Sequence, residues 1–113
     1  MDSILTTIKK LLGLAEDDTS FDTDIIIGIN TAFSTLTQLG VGPSNGFSIL
    51  DKSKTWSDFL ASATDLEAVK TYVHLKAKLL FDPPANSSMI DSINNVLDEL
   101  TFRLYVKAGM TEA

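Results

Sequence analysis

Apolar residues recur along most of this chain with the 3.6-residue period of an α-helix. In residues 3–12, Ile4, Leu5, Ile8, Leu11 and Leu12 share one side, while Lys9 and Lys10 fall on the other. Asp2 or Ser3 is placed to cap this short helix and Gly13 to end it. A second stripe runs through residues 22–39, formed by Ile25, Ile29, Ala32, Phe33, Leu36 and Leu39. Ser20 or Asp22 can serve as its N-cap, and Gly40 is its stop. Ile27 falls well off the stripe, so it is either a second contact surface or an ordinary exposed isoleucine.

The helical period vanishes over residues 41–54. Gly42, Pro43, Asn45 and Gly46 punctuate the start, Phe47-Ser48-Ile49 alternates as a short strand does, and Asp51-Lys52-Ser53-Lys54 reads as a polar turn. The pattern predicts a long central loop or a small β-hairpin. Structureless stretches of this length in a small domain tend to carry contacts, which makes Phe47 and Ile49 candidates for docking against a partner.

Thr55 can cap a short helix holding Trp56, Phe59 and Leu60. Thr64-Asp65-Leu66-Glu67 then has the form of a capping box and starts a central helix over residues 65–81. Its apolar arc is broad: Leu66, Val69, Tyr72, Val73, Leu75, Leu79 and Leu80. Lys76 projects within this arc, either snorkelling at the core edge or pairing with an acid of a neighbouring subunit. Asp82-Pro83-Pro84 ends the helix. A last helix over residues 88–108, capped by Asn86 or Ser87 and closed by Gly109, carries the stripe Ile90, Ile93, Val96, Leu97, Leu100 and Leu104. Phe102 and Val106 share a different face, with Tyr105 between them. That second apolar patch either meets a partner or is buried on both sides within the monomer.

The expectation is an all-α fold, a small bundle of about four to five helices forming one domain over residues 1–113. Charge narrows the partners. Nine basic residues against fifteen acidic ones leave a net charge of −6, which disfavours a grip on phosphate backbones. Glu16, Asp17, Asp18, Asp22 and Asp24 cluster without a base among them, but their spacing lacks the alternating ligands, bend glycine and final glutamate of an EF-hand loop. They read as a solvated linker and an acidic helix start. There is no cysteine, hence no disulfide, thiolate metal site or thiol nucleophile. No apolar run reaches the roughly 20 residues of a membrane span, and the N-terminus has the wrong charge order for a signal peptide, so a cytosolic protein without membrane contact is expected.

Catalytic chemistry finds no footing. His74, the only histidine, lies between Lys70 and Lys78 on the polar edge of its helix and reads as a surface residue. Asp98 and Glu99 are adjacent and point about 100° apart, not toward one another. Gly40-Val41-Gly42 lacks the lysine of a phosphate-binding loop. No enzyme activity, cofactor or metal is expected.

The wording of several segments goes further. ILTTIKKLLGL with its acidic linker, FDTDIIIGINTAFSTLTQLGVGP, WSDFL, LEAVKTYVHLKAKLLFDPP and the closing FRLYVKAG resemble, in order and spacing, the head–tail connector (adaptor) proteins of long-tailed bacteriophages infecting Gram-positive bacteria. The resemblance implies a virion protein, assembled in the host cytoplasm at the head–tail interface. It implies a homo-oligomeric ring between the portal protein and the stopper or tail-completion protein, with DNA passing through without sequence-specific binding. Candidate oligomer or partner contacts are then Ile27, Phe47, Ile49, Phe102, Tyr105 and Val106. The competing reading is a small helical protein–protein interaction or regulatory module, also without enzymatic activity; an enzyme accessory would need convergent polar residues that the sequence does not offer.

Overall fold

The computed structural model describes residues 3–43, 45–59 and 66–112, from residue 108 onward as backbone alone. These residues form five helices: α1 (Ile4–Leu11), α2 (Asp22–Gln38), α3 (Trp56–Phe59), α4 (Leu66–Phe81) and α5 (Ser87–Glu112). The all-α class is therefore as expected. The capping box at Thr64 and the Leu60 position lie outside the described residues.

Local signals set most of the ends. Ser3 caps α1 by accepting from the Thr6 amide. Helix α1 closes in a Schellman turn, with Leu14 donating to the Lys9 carbonyl and Gly13 to that of Lys10. Helix α2 ends the same way: Gly40, at φ +84°, lets Val41 donate back to Leu36. Asn86 starts α5 by accepting from the Ser88 amide at 2.7 Å.

Two local expectations are corrected. The N-cap of α2 is Phe21, with no side-chain cap, and neither Ser20 nor Asp22 takes that role. The Asp18 carboxylate instead accepts from the Ser20 amide, and the Asp22 carboxylate turns to Lys9. Helix α5 does not stop at Gly109 but continues to Glu112; a glycine inside a helix costs only about 1 kcal/mol. Of the two alternatives for residues 41–54, the described residues take the loop, and among them the only bridge is an isolated antiparallel one between Ser3 and Thr55.

The core lies where α2 crosses α4. Ile25, Ile29, Ala32, Phe33 and Leu36 of α2 meet Val69, Tyr72, Val73 and Ala77 of α4, all buried. Ile4, Leu5 and Ile8 of α1 close one side, and Trp56 and Phe59 of α3 join from the loop. Tyr72, Val73 and Val69 bury as the apolar arc of α4 requires, whereas Leu75 and Leu79 are only half-buried and Leu80 is exposed. The arc is broader than the surface available to cover it. Lys76 lies with its Nζ 6.0 Å from the Tyr72 ring centre, half-buried at the core margin.

Helix α5 packs mainly against α4, through Leu97, Leu100 and Leu104. Its 26 residues reach about 39 Å at ~1.5 Å per residue, against about 24 Å for the 16 residues of α4. The molecule is accordingly thin, with extents of 44 × 35 × 19 Å.

Candidate interaction surfaces

Two of the six candidate contact residues belong to the core. Ile49 is fully buried, and Phe47 is half-buried with its ring 5.0 Å from Phe33 and 5.3 Å from Phe59. What holds them is a side chain acting as a strand edge. The Asn30 amide of α2 donates to the Ile49 carbonyl at 2.9 Å and accepts from the Ile49 N–H at 2.8 Å. A backbone that would otherwise need a β-partner is satisfied in both senses. The expectation of docking residues at Phe47 and Ile49 is corrected to a segment packed on the core and pinned on α2.

That pinning throws the next residue outward. Leu50 is 88% exposed, the most exposed large apolar side chain among the described residues, and an Asp51–Ser53 turn (Ser53 N–H to Asp51 Oδ1, 2.8 Å) fixes the loop behind it. Sequence reasoning missed Leu50. The signal was present, since Ile49 and Leu50 are adjacent apolar residues in extended chain and only one of them can face the core.

The other four candidates are exposed. Ile27 stands 58% exposed on α2. Phe102 (60%), Tyr105 (61%) and Val106 (40%) lie together on the outer face of α5, since three- and four-residue spacings bring side chains to one side of a helix. Leu104, two residues from Phe102 and so about 200° away, points into the core. The structure thus resolves the second patch of α5 in favour of exposure within the subunit. Val96, expected in the core stripe, is also exposed, as are Met89 and Leu80. Arg103 borders the apolar face and pairs with Glu99 at 2.6 Å; both are exposed, so the pair contributes little. Residues 100–111 contain Arg103 and Lys107 and no acid.

A second surface is built around Lys9, expected on the solvent side but 2% exposed. Its Nζ donates to the carbonyls of Glu16 at 2.9 Å and Asp18 at 2.7 Å and lies 2.9 Å from Asp22 Oδ1. That last contact is coulombic, because Asp22 Oδ1 lacks a partner in hydrogen-bond geometry. The acidic linker therefore wraps the end of one lysine. A cleft of about 540 Å³ opens beside it, with Leu5 and Ile26 inside and Glu16, Asp17, Leu50 and Asp51 around it. Asp18 and Asp51 are held below the ordinary carboxylate range, Asp18 by the Ser20 backbone and Asp51 first by the Ser53 side chain.

His74 is half-buried rather than a surface residue, with Nε2 buried and unpartnered. Burial, and then repulsion from Lys78, hold its pKa below the usual 6.5; a backbone hydrogen bond at Leu11 of α1 acts the other way. No grouping of three or more acids, histidines or cysteines that could hold a metal occurs among the described residues, and no helix there is long and apolar enough to cross a membrane.

The described residues thus form a helical protein with a filled core, a long outer helix bearing an exposed apolar face and a separate acidic cleft. A sequence model of phage connector proteins matches residues 4–111, nearly the whole chain. The chain belongs to the phage connector protein family, and with it to the structural proteins of the bacteriophage head–tail connector. Comparison with curated proteins and with solved structures gives no match.

Proposed function

We propose that this chain is the repeating subunit of a non-enzymatic ring that sits between the portal and the stopper or tail-completion protein of a long-tailed phage of Gram-positive bacteria. The observation that carries the reading is family membership over residues 4–111. The geometry supports it. A ring of identical subunits needs two different surfaces per subunit, because head-to-tail contacts are heterologous. The outer face of α5 at Phe102, Tyr105 and Val106 is one exposed apolar surface, and the Ile27 side of α2 and the cleft by Leu50 offer others. The net charge of −6 suits a conduit through which DNA slides, since acidic walls do not retain phosphate.

Each of these surfaces offers only a few exposed apolar side chains, whereas a stable interface buries roughly 1,200–2,000 Å² in total. The free subunit is therefore monomeric or weakly associating, and rings form at high concentration or on a portal template. Light scattering across a dilution series, followed by electron microscopy of the chain mixed with portal assemblies, tests this. Rings stacked on portals are expected. A tight dimer persisting at nanomolar concentration, or a chain that ignores the portal, overturns the reading.

A further inference from the structure

We infer that the outer face of α5 docks into the acidic cleft between α1 and α2 of a second copy of this chain. The inference rests on the ring reading above and names its two surfaces.

The argument begins with charge. Two copies that each carry −6 repel one another, so a self-contact must bring opposite local charges together. The chain separates its charges in a way that allows this. Residues 15–24 hold five acids and no base, and residues 100–111 hold two bases and no acid. Around the cleft, Lys9 and Asp22 are committed to one another, which leaves Glu16, Asp17 and Asp51 against Lys52. On α5, Lys107 and Arg103 are one turn apart along the edge of the Phe102–Val106 face, and the Arg103–Glu99 pair is solvent-exposed, so it holds the guanidinium only weakly.

Apolar surface matches as well. Half-buried Ile26 lines the cleft, and Leu50 projects beside it on a loop fixed from behind by Asn30 and the Asp51–Ser53 turn. Exposed apolar side chains on rigid supports lose little freedom on docking. Helix α5 packs mainly on α4, so its outer face is not positioned to fill the cleft of its own chain. Each subunit gives α5 to the next and receives α5 from the one before, the head-to-tail arrangement that closes into a ring when its rotation divides the circle.

The absence of cysteine makes the contact directly testable. Full-length Leu50→Cys and Val106→Cys chains, mixed in equal amounts and mildly oxidised, are expected to give the mixed 50–106 adduct well above the like-with-like products. Adding Arg103→Glu and Lys107→Glu to the second chain should lower that adduct about tenfold or more. Adding Glu16→Lys and Asp17→Lys to the first should restore it. All four charged positions are exposed, so the fold is not at stake. A statistical mixture of adducts, or an excess of the 106–106 product, overturns the pairing. So does a 106 thiol that is protected by the portal while the 50–106 adduct never forms, because α5 then serves the portal. Wild-type rings without the 50–106 adduct sink this pairing and leave the ring reading standing. If the wild-type chain forms no higher-order species, alone or with the portal, both readings fall.

Discussion

Gly28 of α2 lies against Ala77 of α4 so closely that a β-carbon on Gly28 would sit 3.2 Å from the Ala77 Cα and 3.5 Å from its Cβ. Both residues are buried, and the two helices that form the core meet there backbone to backbone. Replacing Gly28 with leucine must push the helices apart. The expected loss is about 1–3 kcal/mol, the usual cost of overpacking, read as a lower urea midpoint at unchanged helical content. An unchanged midpoint would mean that the crossing can slide.

The amide of Asn30 should be a sensitive polar group, because it serves both backbone groups of Ile49. Asn30→Ala leaves the N–H and C=O of Ile49 without partners, and a buried unsatisfied backbone group costs about 1–3 kcal/mol. The amide proton of Ile49 should then lose its protection in hydrogen exchange, while α4 and α5 keep theirs until global unfolding. Retained protection at Ile49 in this variant would show that the loop is held by its side chains alone.

Lys9→Met is predicted to cost about 2–4 kcal/mol, toward the low end for a broken buried ion pair because Asp22 remains partly hydrated. The Glu16 and Asp18 carbonyls lose their donor at the same time. Proteolysis of the linker over residues 14–20 should accelerate before the core unfolds. Equal cleavage rates in the two proteins would count against the lysine as organiser.

His74 gives stability a pH dependence of defined sign. Its folded-state pKa lies below the unfolded value of 6.5, so between the two the unfolded chain binds more protons. Stability is therefore highest above that value and falls as pH drops through the window beneath it. The urea midpoint of the wild type should decline as pH falls below about 6.5, and a His74→Leu variant should lack that part of the slope. A variant with the wild-type slope would assign the effect to carboxylates, which titrate lower.

The helices and most of their caps were legible because each signal is local. The stripe Ile25, Ile29, Ala32, Phe33 and Leu36 needs only its own spacing to be assigned, and all five are buried. What could not be read depends on partners distant in sequence. Lys9 has helical neighbours on the solvent side, and only the returning linker buries it. Ile49 looks like a loop residue until Asn30, nineteen positions earlier, is placed beside it. Of the candidate contact residues, Phe102, Tyr105 and Val106 were separable from the core stripe by helical angle alone. Phe47 and Ile49 were not, because an extended segment has no angle until something fixes its register.

The Asn30 clamp also bears on how such a subunit can change over generations. A hairpin tolerates insertions poorly, since each added residue shifts every pair along the ladder. Here the register at Ile49 is set by one amide, and the loop is tied again only at Lys54, whose carbonyl accepts from Ile4. Chain can be lengthened or rewritten over residues 51–53, between Ile49 and the Lys54 carbonyl that holds Ile4, without moving Ile49 from its seat, at the slow entropic cost of a longer loop. Descendants facing new neighbours in the particle can therefore redraw the tip around Leu50 while inheriting the helical core intact.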